Sequence, residues 1–257
     1  MDNGINLHQR VALISGPMTT TVSSIVMTLT RLGADCVILD TDKSVGSAFA
    51  NQINDAREIN DKYGRAMVIQ SDLKTPEEIK DAVGRAAQTF GGLDIYIDAL
   101  MIQKPTPMKF EGGIDNIDGM IDKHLKLPLM LTQAVMAYLK SRKKGRVLFL
   151  LNDSPVAKIK EDLVGSAIRS GLVQFASSLA KQTSEFNVTV NALTVALTEE
   201  YILAHDPESK SIKEAMEKMK IIDPSLKITE GDKISQTIAF LVSPMGATMN
   251  GQKFVLS

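Results

Sequence analysis

A turn of the kind that seats a phosphate follows the first apolar run of the sequence: Ser15-Gly-Pro-Met-Thr-Thr-Thr-Val22, directly after Val11-Ala-Leu-Ile14. Amides at a helix amino end cradle a pyrophosphate, provided that glycines let the backbone approach it. Gly16 is the one glycine in this turn. Thr19, Thr20 and Thr21 read as helix caps, with hydroxyls for a phosphate as the alternative. Two carboxylates, Asp40 and Asp72, stand at a strand end and in a loop, where each either ties a turn or faces a ligand. His124 is the natural proton shuttle near neutral pH, set against a plain packing role on an amphipathic helix. His8, His124 and His205 are too dispersed for a metal site, and the lone Cys36, inside an apolar strand, reads as core and excludes an internal disulfide. The 13 methionines are scattered and read as core filler rather than a groove.

The elements that must position these residues follow from patterning. Short apolar runs at Val11–Ile14, Cys36–Leu39, Ala66–Ile69, Ile95–Ile97, Val147–Leu151, Val188–Leu193 and Lys253–Leu256 read as strands. Amphipathic segments alternate with them: Val22, Ile25, Val26 and Leu29 share one face, and Ile79, Ala82, Val83, Ala86 and Phe90 share another. The second starts at Thr75-Pro-Glu-Glu78, a capping box with proline at the first helical position. Further helices are expected at about 46–63, 116–141, 162–183 and 230–243. Strands alternating with helices predict an α/β fold: a three-layer, doubly wound, Rossmann-like sheet of seven parallel strands with helices on both faces. The chain, 1–257, is expected to form one such domain, with a polar excursion or lid at about 194–229.

Composition narrows the partners. Lys plus Arg number 29 against 30 Asp plus Glu, a net charge of −1 with no one-signed arm, so no nucleic acid is expected. The basic run Lys140–Lys144 suits the carboxyl end of a helix. No run approaches the roughly 18 apolar residues of a membrane span, and the first residues lack the order of a signal peptide. A cytoplasmic protein is the expectation.

Seven phrases in order, Val11-Ala-Leu-Ile-Ser-Gly16, Ser71-Asp-Leu73, Phe90-Gly-Gly-Leu-Asp94, Gly145-Arg-Val147, Val190-Asn-Ala192, Phe240-Leu-Val-Ser243 and Gly251-Gln252, resemble the short-chain dehydrogenase/reductase family over essentially the whole chain. The resemblance implies that Asp40 takes the place of the carboxylate that holds the adenosine ribose in NAD-preferring members, and Asp72 that of the residue at the adenine ring. It also sets Thr20 and Val22 where the family's second and third phosphate-loop glycines belong, which crowds the phosphate path.

The family's catalytic Ser, Tyr and Lys positions overlay Asn152, Gly165 and Arg169, and its helical asparagine overlays His124. Glycine donates no proton, and an arginine with a pKa above about 12 relays none. The NNAG turn overlays Asp98-Ala-Leu-Met101, and the Pro-Gly pair overlays Val195-Ala196, followed by Glu199 and Glu200, whose charge would repel a pyrophosphate. The expectation is therefore a pseudoenzyme: no catalytic residue at these positions, an assembly or regulatory role, and no cofactor, with Gly16, Asp40 and Asp72 as vestigial contacts for NAD(H) if any is bound. The alternatives are a divergent NAD(H)-dependent oxidoreductase, with His124 or water as the acid, and a binder of a small anionic metabolite that uses Arg169 in the old substrate cleft. By the same resemblance, a dimer or tetramer is expected through helices 116–141 and 162–183, alongside an unidentified protein partner or small ligand.

Overall fold

The apolar runs become strands because a parallel sheet covered on both faces buries its central strands, while Met67 and Val255 in the outermost runs stay exposed. The computed structural model of the chain describes residues 5–102, 117–152 and 162–256, except 207, 223, 225 and 226. The strands are β1 (Val11–Ser15), β2 (Asp35–Asp40), β3 (Ala66–Gln70), β4 (Ile95–Asp98), β5 (Arg146–Asn152), β6 (Thr189–Val195) and β7 (Lys253–Leu256). They form one parallel seven-stranded sheet in the order β3-β2-β1-β4-β5-β6-β7. The strand order reverses between β1 and β4, which opens a crevice at their carboxyl ends.

Helices α1 (Thr20–Arg31), α2 (Lys43–Ile59), α3 (Pro76–Phe90), α4 (Ile117–Ile121), α5 (Leu127–Arg142), α6 (Leu163–Thr183), α7 (Glu199–His205), α8 (Ile212–Ile222) and α9 (Gly231–Val242) complete the described elements. One sheet face packs Leu13, Tyr96 and Phe149 against Ile79 of α3, Leu131 of α5 and Leu172 of α6. The other packs Ile14, Ile38 and Leu193 against Val22 of α1, Ile53 of α2 and Ile238 of α9. Burying a side chain of this size contributes about 1.5–3 kcal/mol, and these two layers set the crevice rigidly between them.

Boundaries moved where local hydrogen bonds outweigh periodicity. Helix α2 starts at Lys43 rather than near 46 because the Asp42 carboxylate accepts the Ser44 N–H at 2.8 Å. The capping box is present: the Thr75 hydroxyl accepts from Glu78 N–H, and the Glu78 carboxylate accepts from Thr75 N–H. The segment expected as one helix over 116–141 holds a π-helical turn, Asp122–Lys126, between α4 and α5, and its first residue lies outside the described residues. π turns concentrate at functional sites, and this one carries His124. The excursion begins after Val195, since Thr194 and Val195 belong to β6. Its α7 and α8 pack on each other around Leu197, Tyr201, Ile202, Ala215, Met216 and Met219, a small core of their own. Cys36 is fully buried, and burial pushes its thiol pKa up, as suits a structural residue.

Candidate functional site

Gly16 ends β1 and starts the turn at φ +147, and a Cβ there would sit 2.7 Å from the Ala99 carbonyl oxygen. Only glycine fits this approach of the β1 turn to the end of β4. The turn is then pinned from β2: the buried Asp40 carboxylate accepts the Met18 N–H at 2.9 Å through Oδ2 and the Asp42 N–H at 3.1 Å through Oδ1. A carboxylate has about four lone-pair sites, so two remain for hydroxyls of a ligand.

Asp72 lies beyond β3, where its carboxylate pairs with Lys74 Nζ at 2.7 Å across an exposed surface, a contact that raises the Lys74 pKa. Between them Leu73 adopts a left-handed φ of +53 while 8% exposed. A non-glycine residue held there costs of order 1 kcal/mol or more and marks a functional loop. Gly16, Asp40 and Asp72 line one cavity of about 540 Å³, with apolar walls that include Leu39, Leu73 and Leu100. A concave, largely apolar space with a few converging polar groups is the usual form of a small-molecule site.

At the next turn the chain supplies its own anion. Thr19 caps α1 as expected, its hydroxyl accepting the Val22 N–H at 3.2 Å. The Thr21 N–H donates to Glu200 Oε1 at 2.6 Å, and the Thr21 hydroxyl donates to Glu200 Oε2 at 3.1 Å. The resemblance placed Glu200 near a pyrophosphate as a repelling charge; the fold sets it on the helix amino end itself.

The residues that the resemblance sets at the family's catalytic positions, Asn152, Gly165, Arg169 and His124, do not line the cavity shared by Gly16, Asp40 and Asp72. Asn152 ends β5 buried, its Nδ2 donating to the Ile102 carbonyl while its Oδ1 has no partner among the described residues. His124, 8% exposed, sets Nδ1 2.7 Å from the Leu100 carbonyl. Burial lowers its pKa more than that hydrogen bond raises it, so the ring is neutral at pH 7, with Nδ1 as the donor and Nε2 left as the acceptor. Asn152 and His124 therefore brace the segment after β4 from two sides.

Arg169 is tied to neighbours at the start of its own helix and also lines a second cavity with Ser166, Ser170 and Lys253. Its Nη1 pairs with the Asp162 carboxylate at 2.9 Å and its Nη2 donates to the Ser166 hydroxyl at 3.1 Å, all in the interior. Asp162 also caps α6, accepting the Gly165 N–H at 3.1 Å. A Cβ on Gly165 would lie 2.1 Å from an Asp162 carboxylate oxygen, so that carboxylate fills the space where a side chain at 165 would begin.

Asp162 is the residue that motif overlay missed. The signal was there: an aspartate just before an apolar helical run is an N-cap, and seven residues separate it from Arg169, two turns of one helix face. Sequence patterning did not bring out the buried trio beneath Gly16 either, in which Ser15 Oγ lies 3.1 Å from both Asp98 Oδ1 and Tyr96 OH. Among the described residues there is no cluster of metal ligands and no helix long and apolar enough to cross a membrane.

Residues 23–257 match the family model described as enoyl-(acyl carrier protein) reductase. The chain is 24% identical over 201 residues to an "Uncharacterized oxidoreductase" of Staphylococcus aureus strain USA300, covering 77% of this chain and 82% of that one. It is 22% identical over 197 residues to another so named from Staphylococcus saprophyticus, covering 76% of this chain and 81% of that one. Its fold is similar to that of levodione reductase, with a TM-score of 0.80 at 17% identity over 98% of this chain and 97% of that one. A dehydrogenase/reductase of Sinorhizobium meliloti gives 0.78 at 19% identity, over 98% and 95%. These findings overturn the pseudoenzyme expectation: the relatives are named oxidoreductases, and nothing in the geometry shows inactivity. The absence of a side chain at Gly165 does not by itself show inactivity, and the expectation of no cofactor gains no support either. The parallel sheet with its reversed order at β1 and β4, the glycine turn beneath it and the match over residues 23–257 lead to one conclusion: this chain belongs to the short-chain dehydrogenase/reductase family.

Proposed function

We propose that the chain is an oxidoreductase that binds NAD(H) in the cavity of about 540 Å³ and interconverts a hydroxyl and a carbonyl. One observation carries the reading: Gly16, Asp40 and Asp72, distant in sequence, converge on that one cavity. The residues fit the adenosine half of the cofactor. Asp40 offers its remaining lone pairs to the ribose diol, and Leu39, Leu73 and Leu100 offer an apolar wall to the base. The same carboxylate disfavours a 2′-phosphate by like-charge repulsion, so NAD(H) is preferred over NADP(H).

The cofactor, when bound, supplies or takes up the hydride. The chain's own groups orient the reactants. Asn152 Oδ1, a buried acceptor without a partner among the described residues, is suited to a substrate hydroxyl, because leaving it unpaired costs about 1–3 kcal/mol. Neutral His124, with Nδ1–H committed to Leu100, keeps Nε2 as its proton-accepting atom. Arg169 and Asp162 act together as a fixed pair that holds the start of α6.

Isothermal titration tests the reading. NADH is expected to bind at least 10-fold tighter than NADPH, and Asp40→Ala to weaken NADH about 10-fold while narrowing the difference between the two. No heat with either dinucleotide at millimolar concentration would contradict the assignment.

The rest of the organisation belongs to the same proposal: 1–257 as one domain that acts in the cytoplasm, with α7 and α8 as its lid. Self-association through α5 and α6 is supported by Leu163, 45% exposed, and by the partly buried Val173 and Phe175 of α6. Light scattering at micromolar concentration is expected to give a dimer or tetramer mass; a 28.0 kDa particle would refute it.

A further inference from the structure

The amino end of α1 is occupied by a carboxylate from a helix 179 residues away in sequence. Helix α1 carries no acidic residue in its own first turn, so nothing local offsets its amino-terminal charge. Glu200 takes that place with two hydrogen bonds, Thr21 N–H at 2.6 Å and Thr21 hydroxyl at 3.1 Å. The turn leading into this helix, Gly16 and Pro17, forms part of the cavity wall assigned above to a nucleoside, and Asp40 grips the next residue, Met18. The nucleoside cavity and the Glu200 contact are thus consecutive along one stretch of backbone.

We propose that Glu200 is an internal stand-in for a ligand phosphate: the chain accepts nucleosides with Glu200 in place, and accepts phosphate-bearing nucleotides and dinucleotides only as Glu200 leaves the α1 amino end. The inference rests on the dinucleotide reading and adds a gate to it. Two anions do not share one helix terminus, because each is stabilised there by the same few N–H groups and each repels the other. The element that carries Glu200 has a small core of its own. Helix α7 packs on α8 through Tyr201, Ile202, Met216 and Met219, a cluster separate from the two layers that clamp the sheet. Its start is capped by Thr198, whose hydroxyl accepts the Tyr201 N–H at 3.3 Å, so the helix does not depend on the Glu200 contact for its own integrity.

Glu200→Gln is the test, since the amide keeps an acceptor for Thr21 N–H while the charge is removed. Titrations of adenosine, AMP and NADH are compared between the unaltered chain and the variant. Expected are an unchanged adenosine affinity and gains of about 10-fold for AMP and NADH, a factor that corresponds to about 1.4 kcal/mol. Equal gains for adenosine and NADH, or no gain for either, would overturn the gate while leaving the dinucleotide site standing. Silence of both proteins toward all three ligands would overturn the site and the gate together. Hydrogen exchange on the unaltered chain gives a second readout: saturating NADH is expected to speed exchange across Glu199–His205, and saturating adenosine to leave it as it was. Protection of that helix by NADH would also sink the gate.

Discussion

Replacing Asp98 by Asn is expected to stabilise the protein above pH 7 by roughly 2–4 kcal/mol and to leave it nearly unchanged near pH 4. Asp98 ends β4 at 1% exposure, and burial lifts its pKa from 3.8 to about 7, against the smaller opposing effects of the Ser15 and Tyr96 hydroxyls and the Leu100 N–H. The Tyr96 hydroxyl, raised well above its usual value by the same burial and by Asp98, stays protonated throughout and donates to the pair. The sign follows from proton counts. Between about pH 4 and pH 7 the folded chain holds a proton on Asp98 that the unfolded chain has already lost, so stability falls as pH rises through that window and levels off above it. The amide keeps an acceptor for Ser15 and gains a donor for Tyr96 but does not titrate. Melting curves from pH 4 to 9 check this: the variant is expected to melt about 5–12 °C higher at pH 8 and to lose the decline between pH 4 and 7. Parallel curves for the two proteins would refute it. The result bears on the proposed site because Ser15, bonded to Asp98, is the residue before Gly16: ionising Asp98 places a negative charge beneath the turn after β1.

Asp162→Ala is expected to cost about 3–5 kcal/mol, the usual penalty for removing one partner of a buried ion pair. The Arg169 guanidinium, its side chain 10% exposed, would keep only the Ser166 hydroxyl among the contacts described here, and α6 would lose its N-cap. The double variant Asp162→Ala/Arg169→Met is expected to recover about half of the loss, because it removes the stranded charge together with its partner. Chemical denaturation of the two singles and the double closes the cycle. Additive effects would show that the pair is not coupled. The same geometry explains position 165. With the Asp162 carboxylate 2.1 Å from a Cβ placed there, the family's phenol has no room in this chain, so a glycine at that position goes with the ion pair beside it.

How much of this was readable in advance differs by level. The seven strands were found because a parallel sheet largely buried on both faces has a local signature, an apolar run broken by helical periodicity. The capping box at Thr75 and the cap at Thr19 were found for the same reason: their partners lie three residues away. Boundaries slipped by a few residues where a side chain reached its own backbone, as Asp42 does at the start of α2, and the π turn around His124 left no pattern to read.

For the site, residue types pointed to Gly16 and His124, and the family resemblance to Asp40, Asp72 and a carboxylate at 200 near a pyrophosphate. Motif overlay then erred in the weight it gave to absences. It read a missing tyrosine and missing glycines as a lost function, since an overlay compares positions one by one and does not register what fills the vacated space. Composition and local periodicity were sufficient for the strands, their helices and the turn after β1, because those depend on neighbours within a few residues. The convergence of three loops on one cavity, the seating of Glu200 on α1 and the Asp162–Arg169 pair inside α6 depended on folding. The first two join segments that no window along the chain contains, and the third, though its spacing is local, needs a dehydrated interior to give two charges a reason to meet.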